Sequence, residues 1–241
     1  MRPCDSHEYS QLNECKIDLD FIRESQHIRD YGAVGMTEQM PIVGGFLPTV
    51  ESAAVSNVAT HLAAFGIFGT SWHLDGPIHV RWGTTTAKET NQCAGHAGLA
   101  IDRNTWCLLG NQYYTLAGPA TKMVFLETAC QSITDSGSGR ELISGVAAAK
   151  GVAEDYTTGM EARANGEIAT ATSKLNVPKT NEVLNAVLAT HVKDYKVAPK
   201  GKKFAECYDP VKVLPTEENL KAYEAAMKTL EACGLPLAGI W

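Results

Sequence analysis

No two of the seven cysteines (Cys4, Cys15, Cys93, Cys107, Cys130, Cys207, Cys233) stand in a CxxC spacing. Their scatter and odd number argue against a disulfide framework or a zinc ribbon and predict a reducing, cytoplasmic compartment. No apolar run is long enough to span a bilayer, so no membrane association is expected. The amino-terminal MRPCDSHEYSQLNE has no apolar core of the kind a signal peptide carries. Basic residues are in the minority, 21 Lys and Arg against 27 Asp and Glu, for a net charge of −6. With no basic patch, nucleic acid is not an expected partner. Lys200, Lys202 and Lys203 cluster in a Pro/Gly turn and read as a solvated loop. There is no G-x-S-x-G elbow, no HExxH, no Rossmann fingerprint and no P-loop lysine, and the chemistries those motifs serve are unsupported.

What is present is enough apolar material for one sizeable core: 44% of 241 residues. The stretch 31–41, YGAVGMTEQMP, runs from apolar to polar and stops at Pro41. That is the pattern of a buried parallel strand whose carboxyl end opens into a loop, where α/β folds place ligand sites. Glu38 is therefore the first candidate for chemistry, weighed against a solvated loop carboxylate. A helical stripe of Leu12, Cys15, Leu19 and Ile22 predicts a helix over 6–26. Residues 49–65 read as a second helix with Val55, Val58, Leu62 and Phe65 on one face. A short strand to about Leu74 precedes a structured loop. The boxes Thr86-x-x-Glu89 and Thr158-x-x-Glu161 each predict a helix start. Residues 105–109 read as an apolar strand with GNQYY at its carboxyl end. Residues 121–134 read as a helix with Met123, Leu126, Cys130 and Ile133 in register, and 142–148 as a fourth strand. Helices are expected over 181–195 and 216–233, joined by a linker over 199–215. Strands separated by helix-length segments imply a parallel sheet, either open or part of a barrel.

Three strand ends then carry polar residues to one rim: Thr37-Glu38-Gln39, His73-Leu74-Asp75 and Asn111-Gln112-Tyr113-Tyr114. A carboxylate, an amide and phenols facing one pocket can bind and polarise a small polar group. His7, His73 and His79, with Asp5 and Asp75 nearby, invite a zinc reading, though no pair has helical i,i+4 spacing; rim histidines satisfied by hydrogen bonds are commoner. Gly137-Ser138-Gly139-Arg140 could cradle a phosphate but reads better as a turn capped by Ser138-x-x-Glu141.

These residues carry a resemblance. DSHE at 5–8, SQLNE at 10–14, KIDLD at 16–20, EQMP at 38–41, SWHLDGP at 71–77, GNQYY at 110–114, QSITD at 131–135, TTGMEAR at 157–163, ECYD at 206–209 and PTEE at 215–218 resemble the pyrrolysine-containing methylamine:corrinoid methyltransferases, in particular those specific for monomethylamine. The resemblance implies an α/β fold, a partial TIM-type (β/α)8 barrel of which this chain supplies later strands and helices. It implies one domain over 1–241, with barrel elements to about 175 and carboxy-terminal helices over about 176–241. It also implies transfer of the methyl group of monomethylamine to the cobalt of a corrinoid held by a partner protein, with no cofactor or metal on this chain itself, in a homo-oligomeric enzyme. By residue match Glu38 and Gln112 are the catalytic pair beside a pyrrolysine imine. Tyr114 lines the same pocket, and His73, Asp75, Asp5 and His7 are matched residues assigned to substrate binding. The mid-pattern amino terminus leads to the expectation that the chain is the segment downstream of an amber-encoded pyrrolysine, a short way before Met1. A pyrrolysine-free paralogue that binds a small amine or the corrinoid protein is the alternative. A partial barrel is expected to fold poorly alone or to self-associate.

Overall fold

The computed structural model describes residues 2, 5–11, 13 and 15–240. In chain order the elements are β1 (Ser6–Ser10), α1 (Leu19–Asp30), β2 (Val34–Gln39), β3 (Ile42–Val43), α2 (Val50–Gly66), β4 (Trp72–Asp75), β5 (Ile78–His79), α3 (Lys88–Asn104), β6 (Leu109–Tyr114), α4 (Lys122–Gly137) and β7 (Leu142–Ala147). Then follow α5 (Gly159–Thr172), α6 (Val177–His191), α7 (Phe204–Cys207), β8 (Tyr208–Asp209), β9 (Leu214–Pro215) and α8 (Glu217–Ala232). Five strands form one sheet in the order β1-β2-β4-β6-β7, every pairing parallel. Spatial order follows chain order without reversal. A doubly wound open sheet reverses at a switch point, whereas a (β/α)8 barrel never does. The architecture is that of a partial TIM-type barrel. Among the described residues no helix is long and apolar enough to cross a membrane.

Capping explains several boundaries. Thr158 and Glu161 form the expected reciprocal box at the start of α5, and Thr121 caps α4 by accepting from the Val124 amide. Thr86 does not cap α3. The helix starts after Ala87 with no side-chain cap, because the Thr86 hydroxyl donates to the buried Glu127 carboxylate at 2.7 Å.

The helix expected over 6–26 is instead a strand, a loop and then α1. The alternating polar SHEYS pairs with β2, and Asp18 starts the helix by accepting from the Phe21 amide at 2.9 Å. Of the expected stripe, Leu12 lies outside the described residues, Cys15 sits in the loop, and Leu19 and Ile22 face outward. The strand expected over 105–109 begins only at Leu109, so GNQYY is the strand itself and not the loop after it. The segment 199–215 is not a bare linker but holds α7 and an antiparallel β8–β9 pair.

α2 reverses its expected orientation. Val55 is 70% and Leu62 49% exposed, while Ala53, Ala54, Asn57, Thr60, His61 and Ala64 are buried. The sheet face beneath this helix presents polar side chains, and polar partners are what it selects. The main apolar core lies around α4, which packs against α3, α5, α6 and α8. Met123, Leu126, Cys130 and Ile133 are all buried there, together with Phe125, Ile168, Val183, Val187 and Leu230. Each fully buried side chain of this size contributes about 1.5–3 kcal/mol.

Candidate active site

Register fixes which side chains meet. Glu38 stands level with Ser10 on one side and Leu74 on the other, and Leu74 with Gly110. One position earlier, Thr37 is level with His73; one later, Gln39 is level with Asp75 and Asn111. Neighbouring residues of a strand point to opposite faces. The rows therefore separate into two chemically different sets.

The helix-free face, the inner wall of a barrel, holds Glu38, Gln112 and Tyr114. Glu38 is only 7% exposed. With the Gln112 amide nitrogen turned toward it, that nitrogen donates to the two Glu38 oxygens at 2.8 and 3.0 Å, and the amide carbonyl accepts from the Tyr114 hydroxyl at 3.2 Å. Glu38 also hydrogen-bonds the carboxyl of Glu8 on β1. Burial, that hydrogen bond and the negative charges of Glu8 and Asp75 push Glu38 up to about 8. At neutral pH it is largely an uncharged acid, able to donate a proton. Burial, followed by the charges of Glu38 and Glu8, pushes the Tyr114 phenol up as well, so it stays a hydroxyl.

The helix-covered face holds Thr37, Gln39, His73, Asp75 and Asn111. Asp75 accepts from Arg140 at 2.8 Å, from Asn57 of α2 at 3.1 Å and from His61 at 3.2 Å. Arg140 also donates to the carbonyls of Gly110 at 2.7 Å and Ala94 at 2.9 Å, and its Nε lies 3.2 Å from Asp135. Burial alone would push Asp75 up, but Arg140 and His61 outweigh it and hold the carboxyl below its ordinary range. Asp135, with less compensation for its burial, is pushed up to about 6. His73 is fully buried, 2.7 Å from the Thr37 hydroxyl, with its ring 4.4 Å from that of His61. Burial first, then His61 and Arg140, keep it well below the usual histidine range and neutral.

The structure thus brings three of the seven expected residues together and separates four. Glu38, Gln112 and Tyr114 share one face. His73 and Asp75 do not join them: the strand pleat turns both toward the helices, where they serve a buried network. Tyr113 goes the same way and donates to Asn165 of α5. Asp5 pairs with Arg2 at 2.9 Å near the amino terminus, and His7 lies on the same side of β1 as Tyr9, which packs on Phe21 of α1. The histidines of the zinc reading do not converge, since His79 lies 3.9 Å from Glu89 and His73 contacts Thr37. Among the described residues no three His, Cys, Asp or Glu side chains form a metal cluster.

Two residues escaped the sequence reading. Glu8 lay inside a matched motif, and strand alternation in SHEYS was the signal that would have placed it on the Glu38 face. Arg140 was read as part of a turn. Ser138 and Glu141 form no cap there: the Ser138 hydroxyl donates to the Asp135 carbonyl at 3.2 Å and Glu141 accepts from the Leu109 amide at 2.9 Å. Asp135 is its one nearby partner, and the partner that gives it its role, Asp75, is 65 positions away.

Comparison with known proteins locates these residues in a family. The family model for monomethylamine methyltransferase MtmB matches residues 1–235. The chain is 52% identical over 231 residues to monomethylamine methyltransferase MtmB of Methanosarcina mazei, covering 96% of this chain and 50% of that protein. It is 51% identical over 235 residues to MtmB2 of Methanosarcina acetivorans, covering 98% and 51%. It superimposes on the crystal structure of the Methanosarcina barkeri monomethylamine methyltransferase with a TM-score of 0.94 at 50% identity, over 98% of this chain and 51% of that one. A crystal structure of a hydroxylamine complex of MtmB matches equally well, again at a TM-score of 0.94. The chain spans about half the length of the curated relatives it matches.

Proposed function

The chain belongs to the monomethylamine methyltransferase family, and we propose that it supplies the acid-bearing wall of that family's active site. The observation that carries this reading is Glu38: a buried carboxyl pushed up to about 8, hydrogen-bonded to a second carboxyl and held by an amide. In the scheme the resemblance implies, a pyrrolysine imine beside Glu38 would hold monomethylamine, and a corrinoid on a partner protein would supply the cobalt that receives the methyl group. Glu38 donates its proton toward the nitrogen of a bound imine or amine. It is then left as a carboxylate beside Glu8, and the two anionic groups balance a cationic nitrogen. Gln112 fixes the plane of the Glu38 carboxyl, and Tyr114 fixes the amide. Closing the pocket against water would strengthen each of these contacts. That a solved relative forms a hydroxylamine complex supports a pocket suited to a small nitrogen nucleophile.

This chain contributes the acid and its supports, and the reactive ring and the cobalt come from elsewhere. Purified chain mixed with monomethylamine and the corrinoid protein is expected to give no methyl transfer above background. A version of the chain extended to the full length of its relatives and carrying pyrrolysine is expected to be active, and to lose activity on Glu38→Gln. Turnover by the chain alone, or full activity of the extended E38Q protein, would overturn the reading.

A further inference from the structure

Three consecutive residues after β7 have left-handed backbone: Ala149 at φ 52°, Lys150 at φ 64° and Gly151 at φ 66°. Only glycine enters this region freely, and alanine and lysine are strained there. Such strain persists where the surroundings impose it. Here the surroundings are the segment leaving β6. The Ala149 amide donates to the Ala117 carbonyl at 3.1 Å and the Lys150 amide to the Thr115 carbonyl at 2.6 Å. The turn is pinned to the chain that immediately follows Tyr114.

What the turn offers Tyr114 is an absent side chain. A Cβ on Gly151 would stand 2.4 Å from Cε1 and 2.6 Å from Cδ1 of the Tyr114 ring, and 3.4 Å from the Ala147 Cβ. The ring cannot yield by shifting its backbone. The Tyr114 amide donates to the Thr85 hydroxyl at 3.0 Å, and its carbonyl accepts from the Thr84 hydroxyl at 2.5 Å. The remaining freedom is rotation of the ring, which would carry its hydroxyl away from Gln112. Neither the strand nor the turn alone sets this arrangement; it requires a left-handed glycine at position 151.

We propose that Gly151 is a positioning residue: the left-handed turn 149–151 leaves the space into which the Tyr114 ring packs and so aims its hydroxyl at Gln112. The proposal rests on the reading of Glu38, Gln112 and Tyr114 as an active-site wall, but the packing it describes can be tested apart from catalysis. The probe is 3-fluorotyrosine placed at position 114 of the 241-residue chain, observed by fluorine NMR. Gly151→Ala and Gly151→Asn are both expected to shift the resonance and to lower the pH at which the phenol titrates, as the ring leaves its buried seat. Asparagine tolerates left-handed backbone, so a matching effect from both variants assigns the cause to the added Cβ. Ala149→Gly relieves strain without adding an atom and is expected to leave resonance and titration in place. A G151N chain that melts normally with an unmoved resonance and titration overturns the proposal.

Should the Gly151 variants fold poorly, thermal melts in a second background decide. Gly151→Ala is expected to lower the melting temperature clearly in the parent chain and much less once Tyr114→Ala has removed the ring. Equal losses in both backgrounds overturn the proposal. In the extended, active protein, G151A is expected to lower kcat as Tyr114→Phe does. A displaced ring with unchanged kcat would refute the role given to Tyr114 in the proposed function, while leaving the packing established.

Discussion

Gln112 reaches Glu38 across a strand that lies between them. Glu38 belongs to β2 and Gln112 to β6, with β4 in between, yet the amide stands 2.8 Å from the carboxyl. Strands flanking a third are about 9.6 Å apart. Two long side chains leaning toward each other across β4 close that gap on the inner side of a curved sheet, and the Gln112 backbone passes beside Gly76, where a Cβ would stand 2.7 Å from the Gln112 carbonyl oxygen. The acid and its support are thus set by the spacing and curvature of three strands.

Replacing Glu38 by Gln removes the proton donor while keeping its shape. Methyl transfer by the extended protein is expected to fall about 100-fold or more, the range for loss of a general acid. Initial rates at saturating monomethylamine measure it, and a loss under threefold would refute the assignment.

Gln112→Ala leaves the Glu38 carboxyl without its amide, and Tyr114→Phe leaves the amide without its hydroxyl. Losing one hydrogen bond costs about 0.5–1.5 kcal/mol, so Tyr114→Phe should slow transfer by roughly two- to twelvefold. Gln112→Ala should be more severe, since it releases both carboxyl oxygens. The order of the two rates is the check.

Stability should respond to pH through the same carboxyl. Glu38 is raised to about 8 from an ordinary value of 4.5, so between those values the folded state binds more protons than the unfolded one. The stability this contributes is fully present below about pH 4.5 and is lost as pH climbs through about 8. Glu127 and Glu161, both raised to about 7 chiefly by burial, act in the same sense. Melting temperatures should therefore fall between about pH 4.5 and pH 8, by roughly 2–4 °C for each kcal/mol lost, and level off above that. Glu38→Gln should flatten part of that decline; an unchanged slope would contradict the shift.

Arg140→Met removes the cation shared by the buried carboxyls of Asp75 and Asp135. Breaking such a pair costs about 3–5 kcal/mol. Arg140→Lys should recover little, because Nη1, Nη2 and Nε of the guanidinium each face a different partner. Urea denaturation of both variants tests this.

Within the described sheet, β1 and β7 each have a hydrogen-bonded neighbour on one side only. Parallel edges of this kind recruit further strands. The 241-residue chain is expected to show concentration-dependent association in sedimentation, reduced when the uncovered half of a full-length relative is supplied.

Much of this was legible in the sequence where a pattern was local. The apolar face of α4, the box at Thr158 and a strand before Pro41 all follow from residues within a few positions of one another, although that strand does not give way to a loop at Thr37 but carries Glu38 within it and ends at Gln39. β1 was missed because its period-two pattern is almost wholly polar, and the first turn of α1 supplied apolar residues that mimicked a longer helix. The separation of Glu38 from His73 and Asp75 was also hidden. It depends on a register in which Glu38 pairs with Leu74, and a shift of one residue would exchange the two sets. Arg140 could be found only in part, since Asp135 lies five positions before it but its other partners come from β4, β6 and α3.

The outward Val55 and Leu62 of α2 carry a practical warning. On this helix the usual inference from hydropathy to location runs backwards, and so would any attempt to improve the protein by it. Asn57→Leu looks like a conservative strengthening of an interior position. It would instead remove one of the three donors to Asp75 and press an apolar side chain into a fully buried polar network. The plain-looking alanines, threonines and amides of α2 are the part of that helix least open to redesign.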